Sequence, residues 1–380
     1  MKWKIPLSDI DFGPEEKAAV DSVLQSRWLT MGAVTEEFEQ SFASYIGAKH
    51  AIAVTNATAA LHLACVAAGL GAGDEAIVPS MTFVATANAV RYTGATPVFA
   101  DVIGEHDLNM SYHSIEKMIS GRTRAIVVMH YGGYACDMPS IMELARERGL
   151  KVIEDAAHAI GSELGGIKLG IWGDIGCFSF FSNKNMTTGE GGMIVTNHDA
   201  YSQRLHSLRS HGMTTMTWDR HKGHAWSYDV VDLGYNYRID EIRAALGKIQ
   251  LGKLPANNER RRHLVRVYRD MLRELTPQVI LPFENHAGIS AAHLMPILLP
   301  SGTNRSNFMD GMKSQGIQTS IHYPPIHMFT AYSQSGDKYS LPNTVDAAGR
   351  EITLPLYPAM SDEDIVTVVK AVECALVPAR

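Results

Sequence analysis

Cysteine is scarce in this chain, with four residues among 380, no CxxC pair and no paired spacing. This pattern does not fit a disulfide framework and indicates buried thiols in a reducing cytoplasm. Long apolar runs are also missing: no uninterrupted stretch reaches the length of about 18 residues from which a membrane span is predicted. The opening segment MKWKIPLSDIDFG has neither an apolar core nor a small-residue cleavage site, so we expect no signal peptide.

An excess of positive charge is absent as well. The 34 Lys and Arg against 40 Asp and Glu give a formal net charge of −6. A nucleic-acid-binding protein needs a basic face, so the composition argues against that class. Apolar residues make up 46% of the chain and charged residues 19%, which indicates a large folded core rather than a disordered protein. The length is compatible with two or three domains, or with one large α/β domain and an appendage.

Short apolar segments alternate with helical patterns in the first half of the chain. Most of these segments are continuous rather than alternating, which is typical of strands that are covered on both faces. Helix signals lie between them, among them an apolar helix at 58–68 and a helix that Asp137 can cap and Gly149 can end. The pattern predicts a mostly parallel, doubly wound α/β sheet. The seven predicted strands are 51–54, 75–79, 96–102, 125–130, 151–155, 175–180 and 191–196.

After residue 197 the sequence pattern changes. Helices rich in Arg, Leu and Ala are predicted at 197–211 and 238–275, and three consecutive arginines at 260–262 are interpreted as a solvated helix face. A weaker α+β pattern then indicates a second, smaller domain. We therefore expect a large domain over residues 1–252 and a small C-terminal domain over residues 253–380. The predicted elements of the small domain are strands at 279–283, 292–299 and 352–357 and helices at 305–315 and 361–376.

Four residues with suitable chemistry fall at one edge of the predicted sheet. In open α/β sheets, ligands bind beyond the carboxyl ends of the strands, and Thr58, Asp155, Ser179 and Lys184 all lie there. Taken singly, each has an ordinary explanation as a helix cap or a surface charge. Taken together, they combine a lysine that can form a Schiff base, an acidic partner for a pyridinium nitrogen and a helix N-terminus that can bind phosphate. This combination predicts a site for pyridoxal 5′-phosphate (PLP).

Two other motifs do not predict a site. The glycines at 69, 71 and 73 follow a helix and precede a strand, which is the wrong order for a dinucleotide-binding fingerprint. The pair His221 and His224 has no further ligands at a sensible spacing, so it is interpreted as a loop and no metal site is predicted.

The candidate residues lie in segments that resemble a known family. These segments are NATAALHLA (56–64), PSMTFVATANAV (79–90), ATPVFADV (95–102), EDAAHAIG (154–161), FSFFSNKNMTTGEGG (178–192), GYNYRIDEIRAALGKIQL (234–251), HYPPIH (322–327) and LPLYP (354–358). The chain resembles the DegT/DnrJ/EryC1/StrS family of PLP-dependent nucleotide-sugar aminotransferases, in particular its UDP-4-amino-4-deoxy-L-arabinose and perosamine-type 4-aminotransferases. The resemblance implies aspartate-aminotransferase fold type I, with a seven-stranded, mostly parallel sheet in a large domain and a smaller α+β C-terminal domain.

The resemblance also implies roles for residues around PLP. Lys184 is expected to bind the cofactor covalently and to move the proton, Asp155 to pair with the pyridine nitrogen, and His158 to lie against the ring near its 3′-oxygen. Phe83 is expected to stack on the ring, with plain core packing as the alternative. The other expected cofactor contacts are Thr58, Ala59 and Ser179 at the phosphate and Asn236 from the other subunit. The expected substrate contacts are Trp28, Thr30, His322, Tyr323 and His327.

The implied reaction moves an amino group from L-glutamate to a nucleotide-linked 4-keto-6-deoxy or 4-keto pentose sugar, with PLP alternating with pyridoxamine phosphate (PMP). The amino sugar would serve surface polysaccharide, lipopolysaccharide or antibiotic biosynthesis. We expect a cytoplasmic homodimer with shared active sites and no nucleic-acid or membrane partner. A cyclitol (inosose) aminotransferase and a 3-aminotransferase of the family are alternatives. A dehydratase of this fold, with histidine in place of the lysine, and a non-catalytic relative are disfavoured because Lys184 and Asp155 are both present.

Overall fold

The computed structural model describes residues 3–214, 223, 227–332 and 339–376 of the chain. In these ranges the helices are α1 (Pro14–Ser26), α2 (Ala33–Ile46), α3 (Ala57–Ala67), α4 (Ala85–Tyr92), α5 (Tyr112–Met118), α6 (Met138–Arg148), α7 (Asp199–Arg209), α8 (Glu241–Leu275), α9 (Arg305–Ser314), α10 (Pro342–Arg350) and α11 (Asp362–Leu376). The strands are β1 (His50–Val54), β2 (Glu75–Pro79), β3 (Thr96–Ala100), β4 (Val102–Gly104), β5 (Asp107–Met110), β6 (Thr123–Met129), β7 (Lys151–Asp155), β8 (Glu163–Leu164), β9 (Ile167–Lys168), β10 (Ile175–Ser179), β11 (Gly192–Thr196), β12 (Met295–Leu298) and β13 (Glu351–Leu354).

Seven strands form one central sheet in the order β1-β11-β10-β7-β6-β2-β3. The five strands from β10 to β3 run parallel to one another, and β11 runs antiparallel to both of its neighbours. Each strand coincides, within two residues at either end, with one of the seven predicted apolar segments. The mostly parallel, seven-stranded sheet expected from the sequence is confirmed.

Helices cover both faces of this sheet. In β1, Ile52 and Val54 belong to the hydrophobic cluster that contains α3, α4 and α7, whereas Ala51 and Ala53 belong to the cluster of α2 on the opposite face. Successive side chains of a strand point to opposite faces, so a strand covered on both sides must be apolar along its whole length. Every residue of β2, β10 and β11 is buried accordingly. Polar chemistry is therefore concentrated at the strand ends.

Side-chain caps determine where two of the helices begin. The Asp137 carboxylate accepts a hydrogen bond from the Ser140 amide at the start of α6, and Gly149, with φ of 65°, ends that helix as predicted. The Asn56 side chain caps α3 in the same way, by accepting from the Ala59 amide at 2.8 Å. Such caps satisfy amides that the first helical turn leaves without intrahelical partners. The cap at Asn56 places the start of α3 directly after β1, at the edge of the sheet.

The 35-residue helix α8 runs without interruption through the predicted domain boundary at residue 252. Its second half packs Leu264, Tyr268 and Leu272 against α9, α11 and the antiparallel pair β12–β13, in a hydrophobic cluster of its own. The position of the boundary stays a prediction. Neither α8 nor any other helix within the described ranges has the apolar length that would cross a membrane.

Two local interpretations differ from the structure. The segment 279–283 forms no regular strand; Ile280 makes a single bridge to Leu298 instead. The arginines at 260–262 do not share one solvated face, because Arg261 is only 2% exposed and donates a 2.9 Å hydrogen bond to the Leu356 carbonyl. Consecutive residues of an α-helix are about 100° apart around its axis, so three of them cannot all point in the same direction.

Candidate active site

One cavity of about 430 Å³ opens at the carboxyl ends of β7 and β10, beside the start of α3. This volume falls within the range of roughly 300–1,000 Å³ that is typical of small-molecule sites. The structure thus brings predicted site residues from distant parts of the chain to one place. Those that line the cavity are Thr58, Phe83, Asp155, His158, Ser179, Lys184, His322 and Tyr323.

Asp155, the last residue of β7, is 4% exposed. Its Oδ2 atom accepts a hydrogen bond of 2.7 Å from the Thr86 hydroxyl, and its Oδ1 atom accepts one of 3.2 Å from the Ala157 amide. Burial raises the pKa of Asp155, whereas the two hydrogen bonds and the Lys184 charge lower it. A cationic partner stabilises a buried carboxylate. A cationic ligand group in this cavity would therefore lower the pKa of Asp155 further.

Sequence reasoning missed the hydroxyl pair behind Asp155. Because a carboxylate only accepts, the Thr86 hydroxyl must donate to Asp155, and it is then free to accept from the Thr82 hydroxyl at 2.9 Å. Both threonines are buried. Their spacing of four residues in the segment 79–90 was a visible signal, but only the fold shows that this short chain of hydroxyls ends on Asp155.

Lys184 follows β10 in a turn that is closed by a 2.9 Å bond from its amide to the Phe181 carbonyl. Burial lowers the pKa of the amine to about 8, and the negative charge of Asp155 partly offsets this by raising it. At pH 7 about a tenth of such an amine is uncharged, against a negligible fraction for an ordinary lysine. The uncharged amine is the form that attacks a carbonyl carbon.

His158 is a neutral hydrogen-bonded residue of the cavity wall. The Gly132 amide donates to its Nδ1 atom at 3.3 Å, so the ring proton lies on Nε2, which is 3.0 Å from the Tyr323 hydroxyl and donates to it. Burial lowers the pKa of His158 well below its ordinary value, and the Lys184 charge acts in the same direction. The two rings are stacked at 6.0 Å. Tyr323 therefore keeps its own proton available for another acceptor.

The N-terminus of α3 also lines the cavity, through Asn56, Ala57 and Thr58. The first intrahelical bond runs from the Ala60 amide to the Asn56 carbonyl, so the Ala57 and Thr58 amides precede the helical ladder. Such amides, together with the helix dipole, bind anions. Gly192 of β11 permits this approach: a Cβ atom there would lie 2.6 Å from the Asn56 carbonyl carbon.

Phe83 is not a core residue. It is 58% exposed, lines the cavity, and its ring centre lies 6.2 Å from that of Tyr323. The exposure excludes core packing, which was the alternative explanation for this aromatic residue. Its contact with a ligand ring remains a prediction.

Several predicted residues lie away from the cavity lining of the single chain. Asn236 bridges Ser210, Thr30 bridges Asp240, and the His327 Nδ1 atom is 2.6 Å from the Ser80 hydroxyl. The Trp28 indole lies against Gly32, and the Ala59 amide is taken up by the Asn56 cap. The roles of these residues stay predictions, and His221 and His224 lie outside the described residues.

A doubly wound sheet whose carboxyl edge presents a half-buried, weakly basic lysine and a buried aspartate to one cavity fits the binding of PLP. The model of the DegT/DnrJ/EryC1/StrS aminotransferase family matches residues 11–373 of the chain. The chain belongs to this family and is an aminotransferase.

Relatives place the chain among sugar aminotransferases. It is 39% identical over 379 residues to the spore coat polysaccharide biosynthesis protein SpsC of Bacillus subtilis, covering 98% of this chain and 96% of SpsC. Its fold is similar to that of Helicobacter pylori PseC, an aminotransferase involved in the biosynthesis of pseudoaminic acid, with a TM-score of 0.91, 30% identity and 99% of each chain covered. A protein from Streptococcus pneumoniae, solved in its PLP form, is similar at a TM-score of 0.89, with 28% identity and 98% of each chain covered.

Proposed function

We propose that this protein is a cytoplasmic, PLP-dependent aminotransferase that moves an amino group from L-glutamate to a nucleotide-linked keto sugar. The observation that carries the proposal is that the half-buried Lys184 and the buried Asp155 line one cavity together with the start of α3. The similarity to SpsC and PseC supports a product that serves a surface polysaccharide or a related amino sugar. A 4-keto sugar is the substrate that we favour, and a 3-keto sugar or an inosose is the alternative.

The residues present fit PLP. The amides at the start of α3, with Thr58 and Ser179, would hold the phosphate, Asp155 would pair with the ring nitrogen, and Lys184 would be the point of covalent attachment. When bound, PLP supplies an electron sink for the carbon next to the transferred nitrogen.

The chain's own residues perform the remaining tasks. Lys184, with its pKa near 8, changes readily between amine and ammonium at neutral pH and can therefore take a proton from one atom and return it to another. Against the raising effect of burial, the hydroxyl and amide donors to Asp155 lower its pKa and so favour its negative charge in the cavity. The neutral His158 orients the Tyr323 hydroxyl by donating to its oxygen.

The function is tested by two half-reactions. L-Glutamate should convert the PLP form of the enzyme to the PMP form, and one member of a panel of UDP-, dTDP- and GDP-linked keto sugars should restore the original cofactor absorbance. The same panel should contain an inosose as the test of the cyclitol alternative. Restoration by the inosose alone would replace the nucleotide-sugar assignment, and failure of L-glutamate to react would remove the proposed amino donor.

The Asn236→Ala variant tests the shared site. The family resemblance assigns Asn236 to the phosphate of the neighbouring subunit, and in the single chain it lies away from the cavity. Loss of a hydrogen bond to a charged group costs roughly 1.5–3 kcal/mol, so PLP affinity should fall about ten- to a hundredfold. The measurement is a titration of the apoprotein with PLP.

Hybrid dimers sharpen this test. Inactive Lys184→Ala subunits mixed with weakened Asn236→Ala subunits should form hybrids in which one site carries both changes and the other carries neither. The unchanged site should regain normal PLP affinity and turnover. If both residues serve the same subunit's site, each hybrid site keeps one change and no normal site appears. An active monomer in sedimentation experiments would contradict the model as well.

Replacing Thr86 with valine should weaken PLP binding by about tenfold or more. The variant removes the 2.7 Å donor to Asp155, so the buried carboxylate is less stabilised as an anion and is a poorer partner for the ring nitrogen. Thr86→Ser, which keeps the hydroxyl, should bind PLP with nearly normal affinity. Equal losses in both variants, measured by PLP titration, would show that packing rather than the hydroxyl matters.

A further inference from the structure

Three polar side chains form a row beside the cavity. Glu351 and Thr353 lie two residues apart on β13 and so point to the same face of that strand. The Thr353 hydroxyl is 2.6 Å from Glu351 Oε1 and 2.8 Å from the Nδ1 atom of His322, whose ring lines the cavity. The His322 amide donates to the other carboxyl oxygen, Oε2, at 2.7 Å.

The Thr353 hydroxyl has a single proton, so it can donate to Glu351 or to His322 but not to both. If Glu351 is ionised, Thr353 must donate to it and accept from Nδ1–H of His322, which leaves Nε2 with a bare lone pair. If Glu351 carries a proton on Oε1, that proton can be donated to Thr353, which then donates to Nδ1, so the ring proton lies on Nε2. Because the other oxygen, Oε2, accepts from the His322 amide, the proton of the neutral carboxyl group is assigned to Oε1.

We propose that Glu351, acting through Thr353, determines which ring nitrogen of His322 carries the proton and hence whether Nε2 offers the cavity a donor or a lone pair. Glu351 and Thr353 are positioning residues in this scheme. With Nε2 protonated, His322 binds an acceptor-only oxygen of the kind found in a carboxylate or a phosphate. Which ligand brings that oxygen, the amino donor or the nucleotide sugar, rests on the proposed function.

Burial places the change of state near neutral pH. Glu351 is 1% exposed, and burial raises its pKa to about 8, although the hydrogen bonds with Thr353, His322 and Tyr131 and the charge of Arg305 lower it. Burial also lowers the pKa of His322 to about 4, with Lys184 acting in the same direction, so its ring stays neutral throughout. The protonated form of Glu351 therefore prevails below about pH 8 and the ionised form above it.

Two tyrosines that face this row titrate only at higher pH. The Tyr131 hydroxyl donates to the His322 carbonyl, and burial together with Glu351 raises the pKa of Tyr131 well above its ordinary value. Burial, followed by Asp155 and Glu351, likewise raises the pKa of Tyr323.

Burial lowers the pKa of His158 and of His293 well below the ordinary value, so these two rings stay neutral. Lys184 titrates in the same range as Glu351, and the Glu351→Gln variant, which keeps Lys184, separates the two effects.

Nitrogen-15 NMR of microcrystalline, histidine-labelled holoenzyme reads the two states directly. With a pKa of about 8, the Nε2–H form of His322 should exceed the Nδ1–H form roughly thirtyfold at pH 6.5, and the ratio should be reversed at pH 9.5. A His322→Gln variant identifies the signal. A wild-type ring that keeps one protonated nitrogen across this range overturns the proposal.

Glu351→Gln separates the proposed relay from a general pH effect. Its amide oxygen must accept from the His322 amide, so its NH₂ group faces Thr353 and holds the row in the arrangement with Nε2 protonated at every pH. In Thr353→Val, the position of the His322 ring proton should no longer depend on the ionisation of Glu351. Thr353→Ser keeps the hydroxyl and should keep that dependence. Thr276→Val removes a buried threonine hydroxyl outside the cavity lining and is the matched control, which should behave as the wild type.

Kinetics identify the ligand. In one of the two half-reactions, KM should rise roughly tenfold between pH 7 and pH 9 in the wild type and stay level in Glu351→Gln, with kcat little changed. A rise with L-glutamate assigns the oxygen to its carboxylate, and a rise with the sugar nucleotide assigns it to a phosphate. A rise in neither, or an equal rise in Glu351→Gln, overturns the proposal. If borohydride traps no PLP on the wild-type chain, the proposed function fails instead, while the NMR result on the ring still stands.

Discussion

The Lys184→Ala variant should trap no cofactor with borohydride and should lose turnover by roughly 10⁴-fold. Lys184 lies at the carboxyl edge of the sheet beside Asp155, and burial brings the pKa of its amine to about 8. Alanine removes both the amine that is attached to the cofactor and the group that moves the proton. Mass spectrometry of the borohydride-treated protein and a coupled assay with L-glutamate are the measurements.

Two controls define what is lost. Lys184→Arg keeps the positive charge but cannot attach the cofactor, so it should be as inactive as the alanine variant. Lys248→Ala removes a lysine that pairs with Glu37 outside the cavity and should leave trapping and turnover unchanged. Cofactor found covalently bound to the Lys184→Ala chain would show that another lysine has the role.

The same amine makes PLP uptake depend on pH. Only the uncharged form attacks the cofactor, so the rate at which apoprotein takes up PLP covalently should rise about tenfold per pH unit below pH 8 and level off above it. The sign follows from the lowered pKa: an ordinary lysine would show the rise continuing to about pH 10. Stopped-flow absorbance checks the profile.

The Asp155→Asn variant should bind PLP and yet lose roughly 10²–10³-fold in turnover. The amide has nearly the shape of the carboxylate but no charge, so it cannot keep the ring nitrogen protonated and the electron sink is weakened. The amide oxygen can still accept from the Ala157 amide, and the NH₂ group can donate to the Thr86 hydroxyl, which then donates to Thr82, so the side chain should stay in place. The expected signature is therefore a fall in kcat for both half-reactions that far exceeds the loss of PLP affinity, which should be similar to the loss of about tenfold expected for Thr86→Val.

The pKa of Lys184 provides a second test of the charge on Asp155. The negative charge of Asp155 raises the pKa of Lys184, so Asp155→Asn should move the pH profile of PLP uptake toward lower pH. Asp174→Asn is the matched control, because Asp174 pairs with Lys151 outside the cavity and should change neither profile nor turnover. Near-normal transamination by Asp155→Asn would reduce Asp155 to a structural residue at the end of β7.

Much of the central sheet and its helices could be predicted because the sequence signals are local. Continuous apolar runs marked the seven strands of the sheet, and Asp137 with Gly149 marked the two ends of α6. Such patterns depend on residues within one turn or one strand of each other, so they are visible without the fold. The positions of Lys184 and Asp155 after two of those strands were visible for the same reason, and both line the cavity.

The weaker predictions failed where packing overrides local pattern. Residues 279–283 look like a strand, yet Ile280 makes only one bridge, to Leu298. From its charge, Arg261 was expected to face solvent. Its position around the axis of α8 instead directs its side chain to the Leu356 carbonyl. In both cases the missing information is the position of a second segment that lies far away in sequence.

The sequence by itself determined the class of fold, the family and the two residues on which the proposed chemistry depends. Only the tertiary structure decided what surrounds them: the Thr86 hydroxyl on Asp155, the Tyr323 hydroxyl on His158, and the row that joins Glu351 to His322. These contacts join residues that the sequence keeps far apart, and the pKa values of Lys184 and Glu351 depend on burial that only the assembled fold creates. Hydrogen-bond direction and local dielectric are properties of the packed molecule, because each is set by neighbours that a linear pattern does not reveal.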